Sequence, residues 1–111
     1  MHELGLAEDV LRKIKDEAKK KQSTKVSWAI VEIGETLITD PPEFKELFAT
    51  IALGTVAEGA QLELEIKPLR AECATCQKGF DPKALRFDCP HCGSTDIRVV
   101  AGREIIVRDL R

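Results

Sequence analysis

Along the opening segment, Leu4, Ala7, Val10, Leu11, Ile14 and Ala18 recur at three- and four-residue steps. That spacing predicts an amphipathic helix. Its other face is charged: Glu8/Arg12, Asp9/Lys13, Asp16/Lys20 and Glu17/Lys21 lie four apart with the acid first, the favourable order on a helix. Lys19, Lys20 and Lys21 close it where cations suit the negative end of the helix dipole. Val26 to Ile33 is β-branched and aromatic and predicts a strand ended by Gly34. Trp28, Ile30, Val31 and Ile33 fall on both faces, so the strand is expected to be covered, at least in part, on both sides. Asp40-Pro41-Pro42-Glu43 predicts a helix start, with Asp40 as cap, Pro41 in the first position and Glu43 reaching back to the cap amide. Phe44, Leu47, Phe48 and Ile51 form its apolar stripe, and Gly54 is its stop. Leu62, Leu64 and Ile66 then alternate with Glu63, Glu65 and Lys67, the mark of a strand with one wet face.

Past Pro68 the chain changes character, with four cysteines, short turns and few periodic runs. Residues 104–110 are strand-like again: Ile105 and Val107 are two apart, and Ile106 faces the other way. The expected architecture is an α+β fold, two helices packed on a small three-stranded sheet that the last strand rejoins. Residues 1–68 and 103–111 would form that unit, and residues 69–102 an inserted cysteine module.

Length and charge narrow the classes of function. A chain of 111 residues is enough for one compact core or for one small domain plus a stapled appendage, not for a second full-sized domain. With 17 basic and 19 acidic residues the net charge is −2, so no overall field favours nucleic acid or an anionic membrane. No apolar run approaches the roughly 18 residues of a transmembrane helix. Met1-His2-Glu3 opens without the basic start and apolar stretch of a secretory signal. The expectation is a cytoplasmic protein whose cysteines, in a reducing compartment, serve as metal ligands and not as disulfides.

Cys73-Ala74-Thr75-Cys76 and Cys89-Pro90-His91-Cys92 are two C-x-x-C turns separated by 12 residues. Each short loop turns two sulfurs toward one ion while backbone amides point at the thiolates. Two such knuckles complete a tetrahedral sulfur cage, the coordination of structural zinc, so residues 69–102 are expected to be a zinc-ribbon domain. Iron accepts the same ligand set, and spacing leaves both ions open. Four thiolates leave no position for water or substrate, which argues against catalysis at this metal. Gly93 follows the second knuckle where a left-handed residue is useful. Phe80, Leu85 and Phe87 supply an apolar cover, and His91 is expected to face solvent as a bystander.

By residue type alone, His2 is a polar residue before a helix. Its position offers a second reading. A free α-amine at Met1, the His2 amide nitrogen and imidazole, and the Glu3 amide nitrogen lie within a few bonds of one another. Together they suit a metal that prefers planar nitrogen coordination, Ni(II) or Cu(II), whereas zinc prefers a tetrahedron. Met1 is expected to be retained, because a bulky second residue blocks its removal.

The chain as a whole resembles a known family. Met1-His2-Glu3-Leu4 before an amphipathic helix, Val31-Glu32-Ile33-Gly34-Glu35, Gly54-Thr55-Val56-Ala57-Glu58-Gly59-Ala60 and the C-x-x-C…C-P-x-C-G-S pattern are together similar to the HypA/HybF hydrogenase nickel-incorporation proteins. The segment Thr36-Leu37-Ile38-Thr39 departs from the family's pattern, and the stretch between the cysteine pairs is short for it. The resemblance implies a metallochaperone that carries Ni(II) as transient cargo at Met1, His2 and Glu3. It implies structural Zn(II) on Cys73, Cys76, Cys89 and Cys92. It also implies delivery, with a HypB-type GTPase, to the NiFe hydrogenase large subunit, and in some members to urease. The competing class is a zinc-ribbon interaction or nucleic-acid-binding module. The acidic balance, single Trp and lack of a basic face near the knuckles argue against nucleic acid. An enzyme would need a triad, a phosphate loop or an open metal site, and the sequence suggests none of these.

Overall fold

The computed structural model describes residues 3–82 and 88–111. In chain order the elements are α1 (Glu3–Lys20), β1 (Trp28–Gly34), α2 (Pro41–Ile51), β2 (Gln61–Lys67), β3 (Arg70–Cys73), β4 (Gly79–Phe80), β5 (Ile97–Ala101) and β6 (Ile105–Leu110). They form two three-stranded sheets, ordered β2-β1-β6 and β4-β3-β5. The expected α+β architecture holds: two helices pack with the first sheet, and β6 returns to pair with β1 after the chain has built the second.

β1 is the central strand of the first sheet. It pairs in parallel with β2 across the α2 crossover, Val31 opposite Leu64 and Ile33 opposite Ile66. It pairs antiparallel with β6, Ile33 opposite Ile105. Ala29, Val31 and Ile33 are fully buried on one face. The opposite face is half-covered by long polar side chains and not by a second layer. The Arg111 guanidinium lies 4.8 Å over the Trp28 ring, Trp28 Nε1 donates to Glu63, and Arg108 reaches Glu32 at 3.2 Å and also Glu65. This accounts for the apolar residues on both faces of β1 without a second core.

A bulge in β6 re-aims that strand. Val31 faces Val107 but Ile30 faces Asp109, so the register shifts by one residue at Arg108. Leu110 thereby turns to the same buried side as Ile105 and Val107. Asp109 Oδ1 accepts the Leu110 amide at 2.8 Å and Lys21 Nζ at 3.3 Å. These two donors, the amide first, hold its carboxyl below the usual range.

α1 buries Leu6, Ala7, Val10, Leu11, Ile14 and Ala18. Leu4, expected in that stripe, is exposed, and Leu6 takes a place in the core. The expected i,i+4 ion pairs give way to others: Arg12 turns to Asp9 at 2.6 Å, Lys20 to Glu17 at 3.4 Å, and Lys21 leaves the helix for Asp109. Exposed pairs of this kind contribute little, so either pattern serves the fold equally. α2 is capped by Asp40 as expected, its Oδ1 accepting the Glu43 amide at 3.1 Å. Phe44 and Phe48 stack with ring centroids 6.4 Å apart, both buried in the main core. Replacing Phe44 by Ala is expected to cost about 3–5 kcal/mol, read as a fall in the denaturant midpoint at unchanged slope.

The motif Gly54–Ala60 is a structural lock between α2 and β2. Glu58 Oε1 accepts the Gly54 amide at 2.6 Å, Thr55 Oγ1 donates to the Ala52 carbonyl at 2.6 Å, and the Val26 amide donates to the Val56 carbonyl at 2.8 Å. Among the described residues, no helix is long and apolar enough to cross a membrane.

Candidate metal centre

The cysteine module has a small core of its own, Ala71, Cys73, Phe80 and Cys89, with Cys76 and Ile97 packed against it. Phe80 takes the covering role expected of it; Leu85 and Phe87 lie outside the described residues. The two knuckles are built alike. The Cys73 amide donates to the Lys78 carbonyl at 3.1 Å and the Cys89 amide to the Ser94 carbonyl at 2.8 Å. The Gln77 and Gly93 amides donate back to the carbonyls of Cys73 and Cys89, each at 2.8 Å. Both closing residues are left-handed, with φ of 62° at Gln77 and 78° at Gly93. The first knuckle thus adopts, with a side chain and at some cost, the turn the second makes with glycine. Thr75 Oγ1 and Ser94 Oγ meet at 2.9 Å across the pair.

These turns gather the four sulfurs. Cys73 and Cys92 Sγ are 3.6 Å apart, Cys76 and Cys89 Sγ 3.7 Å, and all four lie within 4.8 Å of one another. A regular tetrahedron with metal–sulfur bonds of about 2.3 Å has edges of about 3.8 Å. The donor set and its spacing therefore fit one tetrahedral, thiophilic ion. Amides aim at the sulfurs as expected, Cys76 N at Cys73 Sγ (3.4 Å) and His91 N at Cys89 Sγ (3.3 Å). It is the His91 backbone that serves the site; the residue itself is exposed.

Electrostatics favour thiolate at the inner positions. The Cys76 amide, against the cost of burial, holds Cys73 down to about 6. Burial raises Cys89, but the His91 and Cys92 amides outweigh it and leave the thiol below its ordinary value. At Cys92 the Ser94 amide favours the thiolate, yet neighbouring Cys73, burial and the remaining cysteines push it up to about 12. One thiolate forms readily and the next resists forming beside it, a penalty that a bound cation removes.

Of the expected N-terminal ligands, Met1 and His2 lie outside the described residues. Glu3 is the first residue of α1. Its Oε1 accepts two hydrogen bonds from Thr39, the amide at 3.2 Å and Oγ1 at 3.0 Å. Thr39 carried no sequence signal for this contact. Among the described residues, only the four cysteines gather three or more His, Cys, Asp or Glu ligand atoms closely enough for one ion.

Fold and site define a small α+β protein with a four-thiolate module interposed before its last strand. The family model for HypA, described as hydrogenase/urease nickel incorporation metallochaperone, matches residues 1–111. The hydrogenase maturation factor HypA 2 of Bradyrhizobium diazoefficiens is 34% identical over 110 residues, covering 99% of this chain and 97% of the relative. HypA of Methanothermobacter thermautotrophicus is 32% identical over 117 residues, covering 100% and 96%. The solution structure of the Ni metallochaperone HypA from Helicobacter pylori superposes with a TM-score of 0.74 at 28% identity, covering 99% of this chain and 96% of that one. The chain belongs to the HypA family of nickel-incorporation metallochaperones.

Proposed function

We propose that this protein binds Ni(II) at its N-terminus, through the Met1 amine, the His2 amide and imidazole and the Glu3 amide, and hands it on for assembly of NiFe hydrogenase. The whole-chain family match carries this reading; the Met1-His2-Glu3 start supplies the chemistry. A planar nitrogen chelate made by one chain end uses few ligands, so a better-coordinated acceptor takes the ion by ligand exchange. The hydrogenase large subunit is the acceptor in this scheme, and a HypB-type GTPase the partner in transfer. The protein carries its metal and catalyses nothing with it. Its compartment is the cytoplasm, where thiols stay reduced.

Zn(II) is the resident ion in this proposal, held by Cys73, Cys76, Cys89 and Cys92. With all four positions taken by sulfur, it supplies structure and no chemistry. Residues 69–102 then fold around it as one unit, and residues 1–68 with 103–111 as the other.

Nickel titration of the zinc-loaded protein, beside a copy carrying one extra N-terminal residue, tests the terminal site. The native terminus is expected to bind about one nickel with the absorbance of a planar nitrogen complex, and the extended copy to lose it. Equal binding by both, or by neither, would remove the terminal chelate and leave the four-sulfur site as the protein's metal centre.

A further inference from the structure

We propose that Thr39 is a positioning residue for the N-terminal chelate, acting by clamping the carboxylate of Glu3. This rests on the terminal nickel site proposed above and assigns its support. Glu3 and Thr39 are 36 residues apart, yet both polar hydrogens of Thr39, on N and Oγ1, go to the one oxygen Oε1. That oxygen's lone pairs are thereby taken, so it serves as an anchor and not as a metal ligand. The second oxygen, Oε2, is shielded from water and has no hydrogen-bond partner among the described residues. A carboxylate oxygen is one of the acceptors, with backbone carbonyls and water, that a metal-bound imidazole's second N–H uses.

The clamp is useful only if Thr39 is itself fixed, and both of its flanks are. Ile38 is buried in the main core, and Asp40 caps α2. Behind them the turn closes by the Leu37 amide on the Gly34 carbonyl at 2.9 Å, and Thr36 Oγ1 donates to the Gly102 carbonyl at 3.1 Å. A chain end that must contribute an amine, two amide nitrogens and an imidazole loses conformational freedom on binding metal. Fixing Glu3 beforehand orders the last of those nitrogens before the ion arrives, which raises affinity without adding a ligand.

The test uses the full zinc-loaded chain and nickel alone as probe, comparing Thr39→Val, Thr39→Ser, Glu3→Ala and the double variant Glu3→Ala/Thr39→Val. Thr39 is exposed, so zinc content and fold should be unchanged. Nickel affinity is expected to fall about tenfold in Thr39→Val, with the planar absorbance band kept, and to return in Thr39→Ser. The double variant should bind no more weakly than Glu3→Ala, because the two residues act through one contact. Wild-type affinity in Thr39→Val, or additive losses in the double variant, would overturn the proposal. Hydrogen exchange at the Thr39 amide in nickel-free protein separates the two ways of failing. Faster exchange in Glu3→Ala establishes the clamp even if the extended copy shows that no terminal nickel site exists, in which case the positioning role falls with that site. Unchanged exchange shows that the clamp itself is absent.

Discussion

Replacing Cys76 by Ser is expected to release the zinc ion proposed for the four-sulfur site and unfold chiefly residues 69–102, while the sheet built on β1 keeps its stability. The two cores differ in what they stand on. The main one joins both helices to three strands through Phe44, Phe48, Ile14, Val31 and Ile33, each buried. The module's own buried set is Ala71, Cys73, Phe80 and Cys89, two of which are metal ligands in the proposed site. So few apolar side chains do not offset the entropy of ordering the module. Structural zinc supplies about 10–16 kcal/mol in small domains of this kind, and there the binding energy is the folding energy. A serine hydroxyl is a poor substitute for thiolate on a thiophilic ion. Trp28, the only tryptophan, sits in β1 and reports the first sheet alone. The expected result is loss of zinc by metal analysis and loss of ordered amide signals from the module, with the Trp28 unfolding transition moved by less than about 1 kcal/mol. Chelation of zinc from the unmodified protein should do the same. Collapse of the Trp28 transition together with zinc would show a single cooperative unit and sink the division at residues 69–102.

Much of this layout was legible because burial imposes a period. Both helices, the three strands of the first sheet and the return of the last strand follow from apolar spacing, and the Asp40 cap from residue type. The misses have identifiable causes. Leu6, Val10, Ile14 and Ala18 run at four-residue steps along the buried edge of α1. Leu4, two residues before Leu6, points about 200° away from it, and a seven-residue spacing to Leu11 makes it look like part of the stripe. β5, Ile97–Ala101, went unpredicted because its pattern is only half-buried on alternate residues, and two successive valines break the contrast on which periodicity depends. The β6 bulge leaves no trace in residue types: it needs the register of β1 opposite it. At the candidate metal centre the four gathered sulfurs could be picked out because two C-x-x-C turns are a strong local signal. Gln77, by contrast, hides its left-handed turn behind an ordinary side chain. The Glu3–Thr39 contact spans 36 residues between two local motifs, and no short-range rule connects them.

Gly34→Ala is expected to be among the most damaging single substitutions in the chain, and to act on the sheet built on β1 and not on the cysteine knuckles. A Cβ at Gly34 would lie 1.9 Å from the Gly102 carbonyl oxygen, 2.2 Å from its carbon and 2.6 Å from the Arg103 nitrogen. All three are backbone atoms, so no side chain can swing away, and the returning segment must shift bodily by more than an ångström. That segment has little room, because a Cβ on Gly102 would in turn meet Leu69 Cα at 2.4 Å. Displacing it breaks the hydrogen bond from the Gly34 amide to the Glu104 carbonyl, 3.0 Å long, and disturbs the pairing of Ile33 with Ile105 that brings β6 into the sheet. Losses of this kind, overpacking plus a broken sheet edge, amount to roughly 4 kcal/mol or more. Gly54 is the control. It has a left-handed φ of 77° but nothing within 4 Å of an added Cβ, so alanine there should cost only about 1 kcal/mol of backbone strain. The comparison is read by Trp28 fluorescence in denaturant, with zinc content measured on the same samples. Zinc should stay bound in both variants, since neither glycine touches a knuckle. If Gly34→Ala left the Trp28 midpoint near that of Gly54→Ala, the two connecting segments would be free to slide past β1, and the glycine of the Glu32-Ile33-Gly34 motif would have no packing reason to be there.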